Sequence, residues 1–370
     1  MNNLILLASL SLSIYISALI LNKKSLSIKS NRNVEIDTLR GILAMTVFSH
    51  HFALTYHWKK TGLWGISDNA VISNLGSVSV SMFFLITGYL FFGKIVNFKH
   101  IDWQKFSIER IRRIFPAYLF VMMLVYITFL IESNSHINAA LIVKSIFSSA
   151  LFITTPLGNY DLAKLTSGVQ WTLVYEAIFY LSLPICYLVF HNKVNIKSIL
   201  MVAISALLIG CYSKMTYLYD QLFYLFAFGG VSYFALRSEL IKSICQNKFC
   251  SVVVILIISF TIIKTQYWTV EQMIFCFICF TAIAGGCNIF GILQLSGLRK
   301  MGDISYSIYL SHGLILYYLF SFKGGISISN IKEPLYYLLL PLVSIPVTLI
   351  SKLLHEKIER RYMIQNRVHK

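Results

Sequence analysis

Long apolar runs, broken by short clusters of basic residues, dominate this chain. About 20 consecutive apolar residues form an α-helix long enough to cross the ~30 Å hydrocarbon core of a bilayer. By that measure the segments at about 4–21, 36–57, 76–96, 114–132, 171–190, 197–213, 217–236, 250–264, 271–291, 304–321 and 334–354 are expected to be transmembrane helices. The basic clusters fall between them: Lys23, Lys24, Lys29 and Arg32; the amphipathic stretch His100–Arg113; Lys193 and Lys197; Arg237, Lys242 and Lys248; Arg299 and Lys300; and the tail from His355 to Lys370. Cytoplasmic loops carry the excess of Lys and Arg, so all these clusters belong on one side, with the N-terminus outside and the C-terminus inside. Counting Asn138–Thr155 (NAALIVKSIFSSALFITT) as a crossing would invert every later loop. It is therefore expected to be a re-entrant or interfacial helix. The expected fold is an all-α polytopic membrane protein: a ten-helix bundle from residue 36 onward, one extra N-terminal span and that additional short helix.

Composition agrees. Of 370 residues 57% are hydrophobic and 13% charged, with mean hydropathy +0.70, which excludes an ordinary soluble domain. The formal charge of +17 follows from the positive-inside rule rather than from nucleic-acid binding, because no soluble basic module is present. The seven cysteines sit almost entirely in apolar segments. Cys276 and Cys279 form a CxxC within FCFICF, without a histidine or carboxylate beside it, so neither a disulfide framework nor a metal site is expected.

Against this background, ionisable residues inside spans are functional candidates, because charge in a bilayer is costly. Ile36–His57 (IDTLRGILAMTVFSHHFALTYH) carries Asp37 and Arg40 near one end and His50 and His51 near the other. Arg40 and His51 are eleven steps apart, which puts them about 20° apart in azimuth and ~16 Å apart along the axis. His50 points about 80° away from Arg40. Arg110, Arg112 and Arg113 in ERIRRIFPAY lie at the same cytoplasmic level as Arg40, and gathered guanidinium groups suit a multiply charged anion such as a phosphate or pyrophosphate. Arg110 and Arg113, one turn apart, face the same way.

At the outer end, QWTLVYEAIFY starts a helix that holds Glu176 about five residues, or ~8 Å, below the surface. His51 lies at ~9 Å on its own helix. A carboxylate holding one imidazole nitrogen makes a general base aimed at a hydroxyl, so Glu176 is expected to pair with His51. Trp171 also suits an interfacial belt. His312, in GDISYSIYLSHGLILYYLF, suits either a hydrogen-bonded packing position or a supporting role. Ser79, Ser81 and Gly88 mark a helix with room for close packing or ligand passage.

Taken together, Asp37-Thr38-Leu39-Arg40-Gly41 with His51 eleven positions beyond Arg40, then SVSMFFLITGYLF, RIRRIFPAY, QWTLVYEAIFY and GDISYSIYLSH resemble, in order, the acyltransferase-3 family of membrane acyltransferases. The resemblance runs from about Ile36 to Glu359. It implies a domain at 36–359, preceded by an anchor helix and basic linker at 1–35 and followed by a basic cytoplasmic tail at 360–370. The extra N-terminal span is outside the family's core pattern, and no C-terminal hydrolase-like domain is expected. The implied activity is transfer of an acyl group, acetyl by family habit, from cytoplasmic acetyl-coenzyme A or another acyl-coenzyme A to a hydroxyl of an extracytoplasmic or lipid-linked glycan. Under it Arg40, Arg110 and Arg113 hold the coenzyme and His51 is the catalytic histidine; with the depth argument above, Glu176 is expected as its catalytic partner, and Asp37, Trp171, Tyr180 and His312 as substrate-binding or supporting positions. Implied partners are membrane lipid, the glycan acceptor and polysaccharide-assembly proteins, in a bacterial plasma membrane, with no metal and no nucleic acid. The competing class is a flippase for a lipid-linked glycan, which would bind substrate without acyl chemistry; broken inverted repeats would mark it, and none is visible.

Overall fold

The computed structural model describes residues 2–22, 33–65, 67–97, 101–133, 138–157, 160–191, 196–215, 218–328 and 330–364. The linker at 23–32, His100, Lys193, the side chain of Lys197 and residues 365–370, on which the orientation argument partly rests, lie outside the described residues. In chain order come α1 (Asn2–Asn22), α2 (Val34–Thr61), α3 (Ala70–Asn97), α4 (Trp103–Glu132), α5 (Ala139–Ala150), α6 (Ala163–Thr166), α7 (Trp171–His191) and α8 (Ile196–Met215). They are followed by α9 (Phe223–Ala235), α10 (Glu239–Gln246), α11 (Lys248–Lys264), α12 (Val270–Ala284), α13 (Ser296–Asp303), α14 (Ser305–Phe320), α15 (Glu333–Tyr337), α16 (Leu340–Leu354) and α17 (Arg360–Ile364). Residues His355–Glu359 form a π-helix between the last two.

The protein is an all-α polytopic membrane protein. Among the described residues, five stretches are long and apolar enough to cross a membrane, namely α1, α3, α4, α7 and Glu333–Met363, and the bent pair α10–α11 makes a sixth if taken as one broken span. Each segment expected to span falls on a helix, but α9, α12 and α14 have only 13, 15 and 16 residues. Hydropathy overruns these helices because it does not register where the backbone turns. Gly286, at φ +110°, follows the end of α12, yet apolar residues continue through Ile289 and Phe290. The stretch around Asn138 yields only the 12-residue α5, about 18 Å long and too short to cross. It is tied to α4 where Tyr118 donates to the Ser149 carbonyl at 2.6 Å.

α3 is the hub, packed against α2, α7, α9, α11 and α12. Its closest neighbour is α9: a Cβ on Gly88 would lie 2.1 Å from the Phe226 carbonyl oxygen, and one on Gly229 would lie 2.3 Å from that of Leu85. Small residues permit this approach, which is how membrane helices gain packing without a hydrophobic drive. Buried Asn74 on α3 donates to the carbonyls of Ile262 at 3.0 Å and Thr265 at 2.7 Å, and accepts from Gln272 Nε2 at 2.9 Å. That network joins α3, α11 and α12.

Two further features position the site. α2 is capped at its start by Asn33, whose side chain accepts from the Ile36 amide, and at its end by Gly62 in the left-handed region; this makes it one unbroken 28-residue rod carrying both Arg40 and His51. Leu165, Thr166, Ser167, Val169 and Gln170 are buried, with Leu165 wholly inaccessible, and α6 packs against α14. α7 therefore begins inside the bundle rather than at its surface.

Candidate active site: an arginine-lined cavity and a histidine pair

A cavity of about 420 Å³ lies between α2, α3, α4, α7 and α14, within the range that accepts small ligands. It follows α3 from Val80 to Lys94, about 21 Å of helix. Arg40, Arg110 and Arg113 line it, together with Lys94, Glu176 and Tyr180. None of the three arginines is within 4.0 Å of a carboxylate among the described residues, where the ion pairs are His57–Glu333, Lys242–Glu239 and His355–Glu359. Arg110 Nε is buried without a hydrogen-bond partner among the described residues, and its guanidinium lies 5.3 Å from the centre of the Phe91 ring. Buried, unpaired positive charge is expensive, and an anionic ligand with several oxygens would satisfy it.

Glu176 sits among these cations. Its carboxylate accepts from Thr87 Oγ1 and from the Tyr180 hydroxyl, each at 3.3 Å. The expected pairing with His51 is not formed, and the reason is the buried start of α7. Thr172, four residues before Glu176, meets the Tyr309 hydroxyl at 2.7 Å. Tyr309 is three residues before His312 on α14, so Glu176 lies about 10 Å along the bundle from the level of His312.

His51 instead pairs with His312. His51 Nδ1 lies 3.1 Å from His312 Nε2 and 3.1 Å from the Val47 carbonyl, and His312 Nδ1 lies 2.9 Å from the Ile308 carbonyl. A carbonyl only accepts, so His312 carries its proton on Nδ1 and offers the Nε2 lone pair. His51 must then donate from Nδ1, which leaves its own Nε2 unprotonated and able to take a proton. His50 faces elsewhere, with Nδ1 2.7 Å from the Ile72 carbonyl on α3.

Tyr309 divides the two regions. It lines the cavity, its hydroxyl donates to the Val169 carbonyl at 3.0 Å, and its ring centre is 6.2 Å from that of His312. Sequence reasoning missed Tyr309, Thr172 and Lys94. The signal for the first was available in the polar stripe Ser305, Tyr309, His312 on an apolar helix. Among the other expected positions, Tyr180 is on the cavity wall. Asp37 lies in the first turn of α2, off that wall and under α13, where a Cβ on Gly302 would come 1.8 Å from the Asp37 carbonyl oxygen. Trp171 packs edge-on against Tyr175 and Trp268 and is not among the residues that line the cavity.

Comparison with protein families matches residues 33–352 to the acyltransferase domain of the acyltransferase-3 type. The chain belongs to that family. The matched region starts at the N-cap of α2 and contains every helix of the cavity wall, whereas α1 precedes it. Among curated relatives, this acyltransferase-domain protein is 29% identical over 185 residues to an "O-acetyl transferase" of Shigella phage Sf6, covering 48% of this chain and 53% of the relative. It is 26% identical over 198 residues to "Putative peptidoglycan O-acetyltransferase YrhL" of Bacillus subtilis (strain 168), covering 50% of this chain and 28% of the relative. The matches thus span from about a quarter to half of those relatives' lengths. No solved structure matches.

Proposed function

We propose that the protein is a membrane O-acetyltransferase that takes an acetyl group from cytoplasmic acetyl-coenzyme A and delivers it to a hydroxyl of a surface glycan or lipid-linked sugar. The observation that carries this reading is the set of arginines on one cavity wall that pair with no carboxylate among the described residues, with a base-competent histidine beyond the cavity's Tyr309 end. The family supports acyl transfer, and the names of both relatives support acetyl as the group. A glycan acceptor is suggested by the peptidoglycan in one of those names.

In this reading Arg40, Arg110 and Arg113 bind the coenzyme phosphates, where planar guanidinium groups suit bidentate contact. The arm carrying the thioester extends along α3 towards Tyr309 and the histidine pair. The acceptor hydroxyl gives its proton to His51 Nε2 as its oxygen bonds to the thioester carbonyl carbon. Collapse of the adduct breaks the carbon–sulfur bond, and the proton on His51 passes to the departing thiolate, leaving an acetyl ester, free coenzyme thiol and neutral His51. His312 is the positioning residue: it fixes the tautomer of His51 and steadies the imidazolium. Glu176 balances charge among the arginines instead of serving His51. Residues 36–359 form the catalytic membrane domain with the arginine end and residues 360–370 cytoplasmic, α1 is an added anchor, and the membrane is the bacterial plasma membrane.

The test is the acetyl content of surface glycan in host cells carrying His51→Ala at normal protein level. Loss of the ester is expected, and wild-type acetylation would refute the assignment.

A further inference from the structure

At the end of the bundle away from the arginines, a second cluster of side chains begins at His51 itself. The ring of Trp64 lies parallel to that of His51, within 5° and with centres 6.5 Å apart. Trp64 meets Trp58 edge-on at 5.4 Å, and Trp58 lies near-parallel to Tyr317 at 6.4 Å. Tyr317 and Tyr160, whose hydroxyl oxygens are 3.0 Å apart, both donate to Glu132 Oε2. Glu132 Oε1 has no partner among the described residues, and no Lys or Arg there pairs with this carboxylate. All five side chains are half-buried. Lys59 and Lys164 reach over Trp58 at 5.6 and 5.7 Å, contacts that are weak at exposed sites and easily displaced.

Aromatic side chains that only anchor a helix at the membrane interface sit with their rings at the headgroup level. Here the rings converge from α2, α14 and the segments after α2 and before α6, and two of them, Tyr160 and Tyr317, hold a carboxylate. Such a set matches a sugar chain, whose rings have apolar C–H faces and hydroxyl edges: Trp and Tyr supply flat apolar area with a polar tip, and a carboxylate accepts strongly from hydroxyls. Tyr317 is five residues beyond His312 on α14, about 7.5 Å, a distance that a short oligosaccharide bridges.

We propose that Trp58, Trp64, Tyr160, Tyr317 and Glu132 form the acceptor subsite. They hold an oligosaccharide segment, rather than a single sugar, so that one of its hydroxyls meets His51 Nε2. This rests on the acetyltransferase reading above.

The test uses full-length protein in lipid nanodiscs, with glycan extracted from host cells lacking the protein as the varied acceptor. Trp58→Ala and Glu132→Gln are expected to raise KM for the glycan about tenfold while leaving KM for acetyl-coenzyme A unchanged, and Trp58→Phe is expected to retain most of the wild-type behaviour. Unchanged glycan KM in both variants overturns the subsite. So does a parallel rise in both KM values, which would mark the cluster as support for the fold. If the wild-type protein transfers nothing to the glycan, the function itself fails, and the subsite with it.

Discussion

Replacing His312 with alanine removes the acceptor that faces His51 Nδ1 and leaves the Val47 carbonyl, also at 3.1 Å, as its remaining partner. His51 keeps a donor contact that favours the same tautomer, so the larger loss comes as His51 takes on positive charge during proton transfer. A hydrogen bond to a charged group contributes about 1.5–3 kcal/mol, which corresponds to about 10–150-fold in rate. Because Val47 shares the load, the lower part of that range is expected for His312→Ala, against about 10²–10⁴-fold for His51→Ala, which removes the base. The assay is single-turnover acetyl transfer by purified protein saturated with acetyl-coenzyme A. Binding of the coenzyme and the folded fraction are measured alongside, since His312 is fully buried and its truncation leaves a cavity. A His312→Gln variant, which restores an acceptor oxygen, should recover part of the rate. A His312→Ala enzyme within about twofold of wild type would refute the positioning role, since one charged hydrogen bond contributes more than that. A loss equal to that of His51→Ala would make His312 a base in its own right.

Other outcomes follow from the same geometry. Arg110→Ala and Arg113→Ala should each raise KM for acetyl-coenzyme A by about 10–150-fold, one charged contact apiece, measurable by initial rates; unchanged KM in both would remove the anion site. Tyr309→Phe deletes the hydroxyl contacts with Thr172 and the Val169 carbonyl and loosens the partition between cavity and histidines. It should increase acetyl-coenzyme A hydrolysis relative to transfer, and an unchanged ratio would show that the ring has no separating role. Gly88→Ala places a methyl 2.1 Å from the Phe226 carbonyl oxygen, an overpacked contact expected to cost about 1–3 kcal/mol or more and to lower the thermal unfolding temperature in detergent. A wild-type melting curve would contradict the α3–α9 contact.

Much of this site was legible in the sequence because helical periodicity is rigid. The spacing from Arg40 turns His51 towards the same side and His50 away, and the structure puts His51 against α14 and His50 against α3. One-turn spacing likewise brings Arg110 and Arg113 to a common wall. Depth was not legible. Counting residues from the start of α7 assumes that Trp171 marks the membrane surface, but the buried segment before it sets that helix deeper and moves Glu176 into the arginine cavity. Partners on distant helices were hidden for a similar reason. His312 is one histidine on an aromatic helix until α2 and α14 are packed together, and Glu132 gains meaning only when Tyr160 and Tyr317 close on it.

The most direct measurement is acetyl transfer from labelled acetyl-coenzyme A to glycan extracted from cells lacking the protein, comparing purified wild type with His51→Ala. Both proteins are expected to bind the coenzyme, and only wild type is expected to move label to the glycan at an appreciable rate. Equal transfer by the two would contradict it.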